Sequence, residues 1–354
     1  MSVHKRSLQL TICLSLLVVA FFLGCKGTET TSIHLQGAGA SFPNPLYQKW
    51  LSEYGKLHAN VKMDYQSVGS GAGIKQIRDQ TVDFGASDAP MKDDELKAAP
   101  AELLHIPTVL GAVVLTYNLE GVSQTLRFSP DVVADIFLGK IKKWNDPRIS
   151  ADNASAKLPT SDITVVHRSD SSGTSAVFTD YLSKVSTEWK EKVGSGTAPS
   201  WPVGLGGKGN EGVTGQVKNT PNTIGYVELI YAVQNKLPVA LIKNASGSFV
   251  EPSIESVEAA AAASAANTPD DLRVSITNPQ GPHAYPISSY TYILVYKNQK
   301  DAAKGKVLVD FLWWGIHDGT NFAKELSYVP LPDDIVKRAE AKINAITSGG
   351  TTLR

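Results

Sequence analysis

Apolar positions along the chain follow two periods, and the places where one gives way to the other mark a succession of strands and helices. Val61 to Val68 alternates as a strand does, Thr81 to Ala86 and Ile163 to Val166 form short strands, and Ile224 to Val227 forms another. Ile106 to Tyr117 is a longer apolar run through Gly111, enough for a buried strand crossing from one domain into another. Tyr290 to Tyr296 is a strand returning. Helical spacing relates Leu46, Tyr47, Trp50, Leu51 and Tyr54, and again Ala176, Val177, Phe178, Tyr181, Leu182 and Val185. Ser129 to Leu138 predicts a helix with Ser129 as N-cap, Pro130 at its first position and Gly139 after its end. Further helices are expected at Val213 to Val217, at the alanine-rich Ser253 to Ala266 on the surface, at Val307 to Gly315 and at Asp333 to Ile346. Strands alternating with helices predict an α/β protein with an open sheet.

Three strand-to-helix turns stand out by composition: Gly37-Ala38-Gly39-Ala40-Ser41-Phe42-Pro43, Gly69-Ser70-Gly71-Ala72-Gly73, and Val165 to Thr174 with Arg168 before Ser172-Gly173-Thr174. A helix start has unpaired N–H groups and the positive end of its dipole, a place for a phosphate-sized anion. Arg168 adds a planar fork able to bond two oxygens of one anion. Asp88 falls at the end of the Thr81 to Ala86 strand, where Pro90 forces the chain out of regular structure. In an open α/β sheet all of these turns lie at the carboxyl ends of strands, where ligands bind. Taken singly, each Ser, Asp or Thr is accounted for as a helix cap.

Composition narrows the class. The 354 residues suffice for two domains, and 34 basic residues balance 34 acidic ones, so no basic field argues for nucleic acid. His4, Lys5 and Arg6 precede an apolar run from Leu8 to Leu23 and then Gly24-Cys25, the layout of an export signal with a lipid-acceptor cysteine. Cleavage before Cys25 would discard Cys13 and leave no disulfide; it would also leave 32 basic against 34 acidic residues. Lys26 to Ser32, polar and Thr-rich, reads as a tether. An anion site in such a chain works by local dipoles and not by a general positive potential.

Other chemistries find no support. Phe42 stands where a dinucleotide fingerprint has its third glycine, and Lys208 in the glycine loop Gly204 to Gly209 is followed by no Ser or Thr for magnesium. No Gly-x-Ser-x-Gly elbow occurs, and the histidines at 4, 34, 58, 105, 167, 283 and 317 have no metal-ligand spacing. Lys140, Lys142 and Lys143 beside Trp144 read as a solvated loop.

The first turn, Asp83-Phe84-Gly85-Ala86-Ser87-Asp88-Ala89-Pro90, Gly139-Lys140-Ile141-Lys142-Lys143-Trp144, Arg168 to Ser175, and Gly204-Leu205-Gly206-Gly207-Lys208-Gly209-Asn210 resemble, in order, the PstS family. That family is the periplasmic phosphate-binding protein of the high-affinity phosphate ABC transporter. The resemblance spans nearly the whole mature chain. It implies a two-domain periplasmic-binding-protein fold of type II, each domain a mixed sheet flanked by helices, with the ligand in the interdomain cleft. Signal 1–24 and lipidated tether 25–32 would precede domain I, residues 33–110 with 282–354, and domain II, residues 111–281. Matched motif to motif, the phosphate ligands would be Ser41, the N–H of Phe42, Ser70, Asp88, Arg168, Asp170, Ser172, Gly173 and Thr174. Ser41 stands where many members have Thr, and Gly71 and His167 depart from the family and are not expected to be ligands.

The resemblance further implies a monomeric transport protein and not an enzyme, with no cofactor or metal. Its partners would be inorganic phosphate, the transmembrane permease subunits and their cytoplasmic ATPase. It would sit in the periplasm or at the cell surface, anchored by Cys25. The same fold serving another oxyanion (sulfate, molybdate), a sensor or scavenger without a permease, and a phosphatase are the competing readings. A carboxylate facing an anion repels it unless the anion supplies a proton, which hydrogen phosphate does and sulfate does not. Asp88 is expected to make that discrimination, and Asp170 to hold the Arg168 guanidinium.

Overall fold

The structure is a computed structural model, described here for residues 32–354; the expected signal, Cys25 and all but the last residue of the tether lie outside the described residues. Eight strands form one mixed sheet: β1 (Ile33–Gly39), β2 (Val61–Ser67), β3 (Phe84–Ser87), β4 (Leu103–Asn118), β6 (Thr164–Arg168), β7 (Leu205–Gly207), β8 (Thr223–Glu228) and β11 (Ser288–Tyr296). The short β5 (Arg127–Phe128), β9 (Leu241–Lys243) and β10 (Phe249–Val250) make a separate three-stranded sheet. The order in the large sheet is β2-β1-β3-β11-β4-β8-β6-β7. β1, β2 and β3 are mutually parallel on one side, β6, β7 and β8 on the other, and β4 and β11 run antiparallel between them.

β4 joins the two halves. Its residues up to Ala112 pair with β11, and from Val113 onward they pair with β8. All but its last residue are buried, as its apolar run predicts for a strand covered on both faces. Pro107 cannot donate to a ladder, and opposite it the β4–β11 register shifts between Thr291 and Tyr292. The extra residue is Thr108 of β4, whose hydroxyl donates to the Thr291 carbonyl at 3.2 Å.

The helix Asn44–Leu57 buries the predicted face of Leu46, Tyr47, Trp50, Leu51 and Tyr54. Trp50 is fully enclosed, packs edge-on against Phe311 and Trp314, and donates its indole N–H to the Gly319 carbonyl at 2.9 Å. A buried aromatic that keeps its polar atom paired contributes hydrophobic stabilisation without a desolvation cost. In the other half Gly173–Val185 buries Val177, Phe178, Tyr181 and Leu182, with Phe178 stacked on Tyr226 of β8.

Two elements differ from the periodicity reading. The alanine-rich helix, Ile254–Ser264, is half-buried and not superficial: Val257, Ala260 and Ala261 face inward, since a side chain as small as alanine permits close approach. Part of the glycine loop is an edge strand, β7, and the following helix begins at Gly209, earlier than Val213. Glycine is required at 207 because a Cβ there would lie 2.7 Å from the backbone of Gly212 and Val213. Among the described residues no helix is long and apolar enough to cross a membrane.

Candidate functional site

The three small-residue turns converge where the two halves meet. β1 ends beside β3 so closely that a Cβ on Gly39, whose φ is +152°, would collide with the Ala86 carbonyl. The chain then turns through Ser41 and Phe42 into the helix Asn44–Leu57. The second turn enters the helix Ser70–Arg78 with Ser70 as its first residue, and the third enters Gly173–Val185 with Ser172 as N-cap. Ser41, Phe42, Ser70, Asp88, Arg168, Ser172 and Thr174 are all buried.

Ser70 links the halves. Its Oγ accepts the N–H of Gly173 at 3.0 Å and that of Asp88 at 3.3 Å. The Gly71 N–H donates to the Ser171 carbonyl at 3.0 Å, a second bond across the same boundary. A Cβ on Gly173 would sit 2.6 Å from Asp88 Oδ2, so only glycine lets this helix start come so near. The halves are thus in contact, in a closed arrangement.

Asp88 follows β3 directly. Thr291 donates its hydroxyl to Asp88 Oδ1 at 2.8 Å, whereas Oδ2 is buried without a partner among the described residues. Burial pushes the Asp88 carboxyl up to about 7, against the opposing effects of the Thr291 bond and the Arg168 charge; Asp170 pushes it further up.

Arg168 lies at the end of β6 and is almost wholly buried. Asp170 grips it on two sides, Nε to Oδ1 at 2.8 Å and Nη2 to Oδ2 at 2.6 Å, and Nη1 reaches Thr174 Oγ1 at 3.2 Å. Of the five guanidinium protons, three are engaged, which leaves two for an anion. Burial alone would raise the Asp170 carboxyl, but the bonds and charge of Arg168 and the Gly209 N–H outweigh it and hold the carboxyl below its ordinary range. Asp170 is therefore an anion bound to Arg168, which it orients.

The remaining expected residues fall in the same cluster with different duties. Ser172 Oγ accepts the Ser175 N–H at 3.0 Å and so caps its helix, while its hydroxyl proton is still available. Phe42 buries its ring against Gly111 of β4, and its carbonyl accepts the Tyr328 hydroxyl at 2.6 Å. His167, not expected as a ligand, stacks on Trp201 with ring centroids 5.0 Å apart. A cavity of about 570 Å³ between the halves reaches Asp88 past Ser171, Thr197 and Ser289.

Three participants had no role in the sequence reading. Thr291 is one of several Thr and Tyr in a strand, and nothing local distinguishes it. Asn210 ends the glycine segment, and its side chain bonds both Ser41 Oγ and Thr174 Oγ1. Glu228, at the end of β8, is fully buried; its Oε2 caps the helix Leu229–Gln234 through the Ile230 N–H, and its Oε1 has no partner among the described residues. Burial raises the Glu228 carboxyl well above its ordinary value.

Comparison with known proteins agrees with this architecture. The PBP superfamily domain matches residues 26–313. The phosphate-binding protein PstS of Xylella fastidiosa is 48% identical over 314 residues, covering 88% of this chain and 85% of that protein. The protein of the same name from Pasteurella multocida is 46% identical over 340 residues, 95% and 98% of the two chains. The crystal structure of a phosphate-binding protein from Stenotrophomonas maltophilia superposes with a TM-score of 0.66 at 22% identity, covering 87% of this chain and 93% of that one. It shares the type II periplasmic-binding-protein fold.

Proposed function

The chain belongs to the PstS family of phosphate-binding proteins, and we propose that it captures one hydrogen phosphate ion between the two halves of its sheet and delivers it to the permease of a phosphate ABC transporter. The observation that carries this reading is the buried, unpartnered Oδ2 of Asp88 beside two helix starts and a tethered guanidinium. Such a site supplies donors on most sides and one acceptor. A tetrahedral oxyanion with one proton satisfies both; a fully ionised one leaves a carboxylate facing a negative oxygen.

In this reading Ser41, Ser70, Ser172 and Thr174 donate hydroxyl protons, and Phe42, Gly173 and Thr174 offer N–H groups. Arg168 neutralises charge, and Asp170 orients Arg168. The ligand takes over the Gly173 N–H from Ser70 Oγ. Residues 33–110 with 282–354 form one domain and 111–281 the other. The change of partner on β4 between Ala112 and Val113 supports a hinge there. The site performs no reaction; it holds and releases. Export and acylation at Cys25, on the strength of the amino-terminal pattern, and action as a monomer at the membrane surface complete the proposal.

Isothermal titration of ligand-stripped protein lacking residues 1–24 with inorganic phosphate tests this. One-to-one binding, with a more compact particle by small-angle scattering, is expected. Absence of phosphate binding contradicts the reading.

A further inference from the structure

Asn210 is fully buried, and every polar atom of its side chain is engaged. Oδ1 accepts the Glu228 N–H at 2.9 Å, which assigns the direction of the amide. The two Nδ2 protons then go to Ser41 Oγ at 2.9 Å and to Thr174 Oγ1 at 3.1 Å, one in each half of the protein. Ser41 Oγ accepts a second bond, from the Asn210 backbone N–H at 3.1 Å, and Thr174 Oγ1 accepts a second from Arg168 Nη1 at 3.2 Å. A hydroxyl has two lone pairs and one proton. At Ser41 and Thr174 both lone pairs are occupied by protein donors, so each hydroxyl has only its proton left to offer. Neither proton has an acceptor among the described residues.

We propose that Asn210 is a positioning residue of the anion site: by donating to Ser41 and Thr174 together, it obliges both hydroxyls to present their protons to the ligand, and only when the halves are closed. The inference rests on the phosphate reading above and adds a reason for its polarity. Hydroxyls that can only donate offer a ligand proton no acceptor at Ser41 or Thr174, which directs that proton toward the unpartnered Asp88 Oδ2. Ser70 is the internal control. Its Oγ also accepts two N–H groups, from Asp88 and Gly173, but without Asn210.

The experiment is phosphate titration of the wild type, Asn210→Ala, Asn210→Asp, Ser41→Ala, Ser70→Ala and the pairs Asn210→Ala with Ser41→Ala and Asn210→Ala with Ser70→Ala. Asn210→Ala should weaken binding about tenfold, and Asn210→Asp roughly a hundredfold, because a carboxylate accepts the hydroxyl protons that the ligand needs. In the Ser41→Ala background Asn210→Ala should cost clearly less than in the wild type, whereas in the Ser70→Ala background its full effect should persist. Asn210→Ala carries the test alone if Asn210→Asp does not fold. An equal cost of Asn210→Ala in both backgrounds would show a general packing role and overturn the proposal. So would wild-type affinity in either Asn210 variant. Failure of the wild type to bind phosphate would instead overturn the phosphate reading, so the two failures are distinct.

Discussion

Thr291 donates its hydroxyl to Asp88 Oδ1 at 2.8 Å, and this single bond decides which oxygen of the carboxylate is left to meet a ligand. Oδ2, the other oxygen, faces Gly173 at the start of the opposing helix. Thr291→Val should leave both oxygens without a side-chain donor and raise the Asp88 carboxyl further. Its titration in the ligand-free protein, followed by carboxyl NMR, should move to higher pH than in the wild type; an unchanged midpoint would show that the bond has no weight in solution.

Stability of the ligand-free protein should depend on pH through the same group. The Asp88 carboxyl is raised from 3.8 to about 7 in the folded chain, so the native state holds its proton more tightly than the unfolded one. The resulting stabilisation is complete below about pH 4 and is lost as pH rises through about 7, a change on the order of 4 kcal/mol at most. Asp88→Asn removes it, while Glu228, raised chiefly by its own burial and only lastly by the Asp88 charge, stays buried in both proteins. Melting curves should therefore show the variant gaining on the wild type between pH 5 and pH 8. Parallel curves would mean that Asp88 titrates normally.

Gly173→Ala places a methyl group 2.6 Å from Asp88 Oδ2 and against Ser70 Oγ, across the boundary between the halves. The closed state should be disfavoured while each half folds as before. Phosphate affinity should fall at least tenfold, roughly the loss of one charge-assisted bond, and scattering should show no compaction with ligand. Wild-type affinity would place the helix start farther from Asp88 than it stands here.

Arg168→Ala should cost more than the loss of any single hydroxyl, since bonds to charged groups contribute about 1.5–3 kcal/mol and neutral ones about half that. Asp170 would then retain the Gly209 N–H but lose both guanidinium bonds, and its charge would repel the anion. The double variant Arg168→Ala, Asp170→Ala should recover part of the affinity, and Arg168→Lys should fall between. Titration of these variants with phosphate checks both statements, and equal affinities for Arg168→Ala and the double variant would count against the pairing.

The legible parts of the site were those with local signals. Ser41, Ser70 and Gly173 lie in small-residue turns between strand and helix, where unpaired N–H groups are a matter of geometry. Arg168 and Asp170 are two residues apart, near enough that pairing is expected from the chain alone. Thr291 and Asn210 were not legible in this way, because their roles depend on contacts 203 and 169 residues distant in sequence. Thr291 reaches Asp88 from β11, the strand that pairs with β3, and Asn210 is placed by a helix that begins earlier than its apolar residues indicate. The alternation of strands and helices disclosed the α/β class, but not that β4 would change partner at Ala112 and so divide the sheet.

Selectivity between phosphate and sulfate depends most directly on Asp88. Ligand-stripped wild type and Asp88→Asn should each be titrated with phosphate and with sulfate at pH 8, where the Asp88 carboxyl is mostly ionised. The wild type should bind phosphate at least a hundredfold more tightly than sulfate, as expected when one ligand pairs a buried carboxylate and the other opposes it. Asp88→Asn, whose amide can donate to a fully ionised oxyanion, should narrow that ratio. A wild type that binds sulfate as well as phosphate, or a variant that keeps the full ratio, would contradict the role given to Asp88.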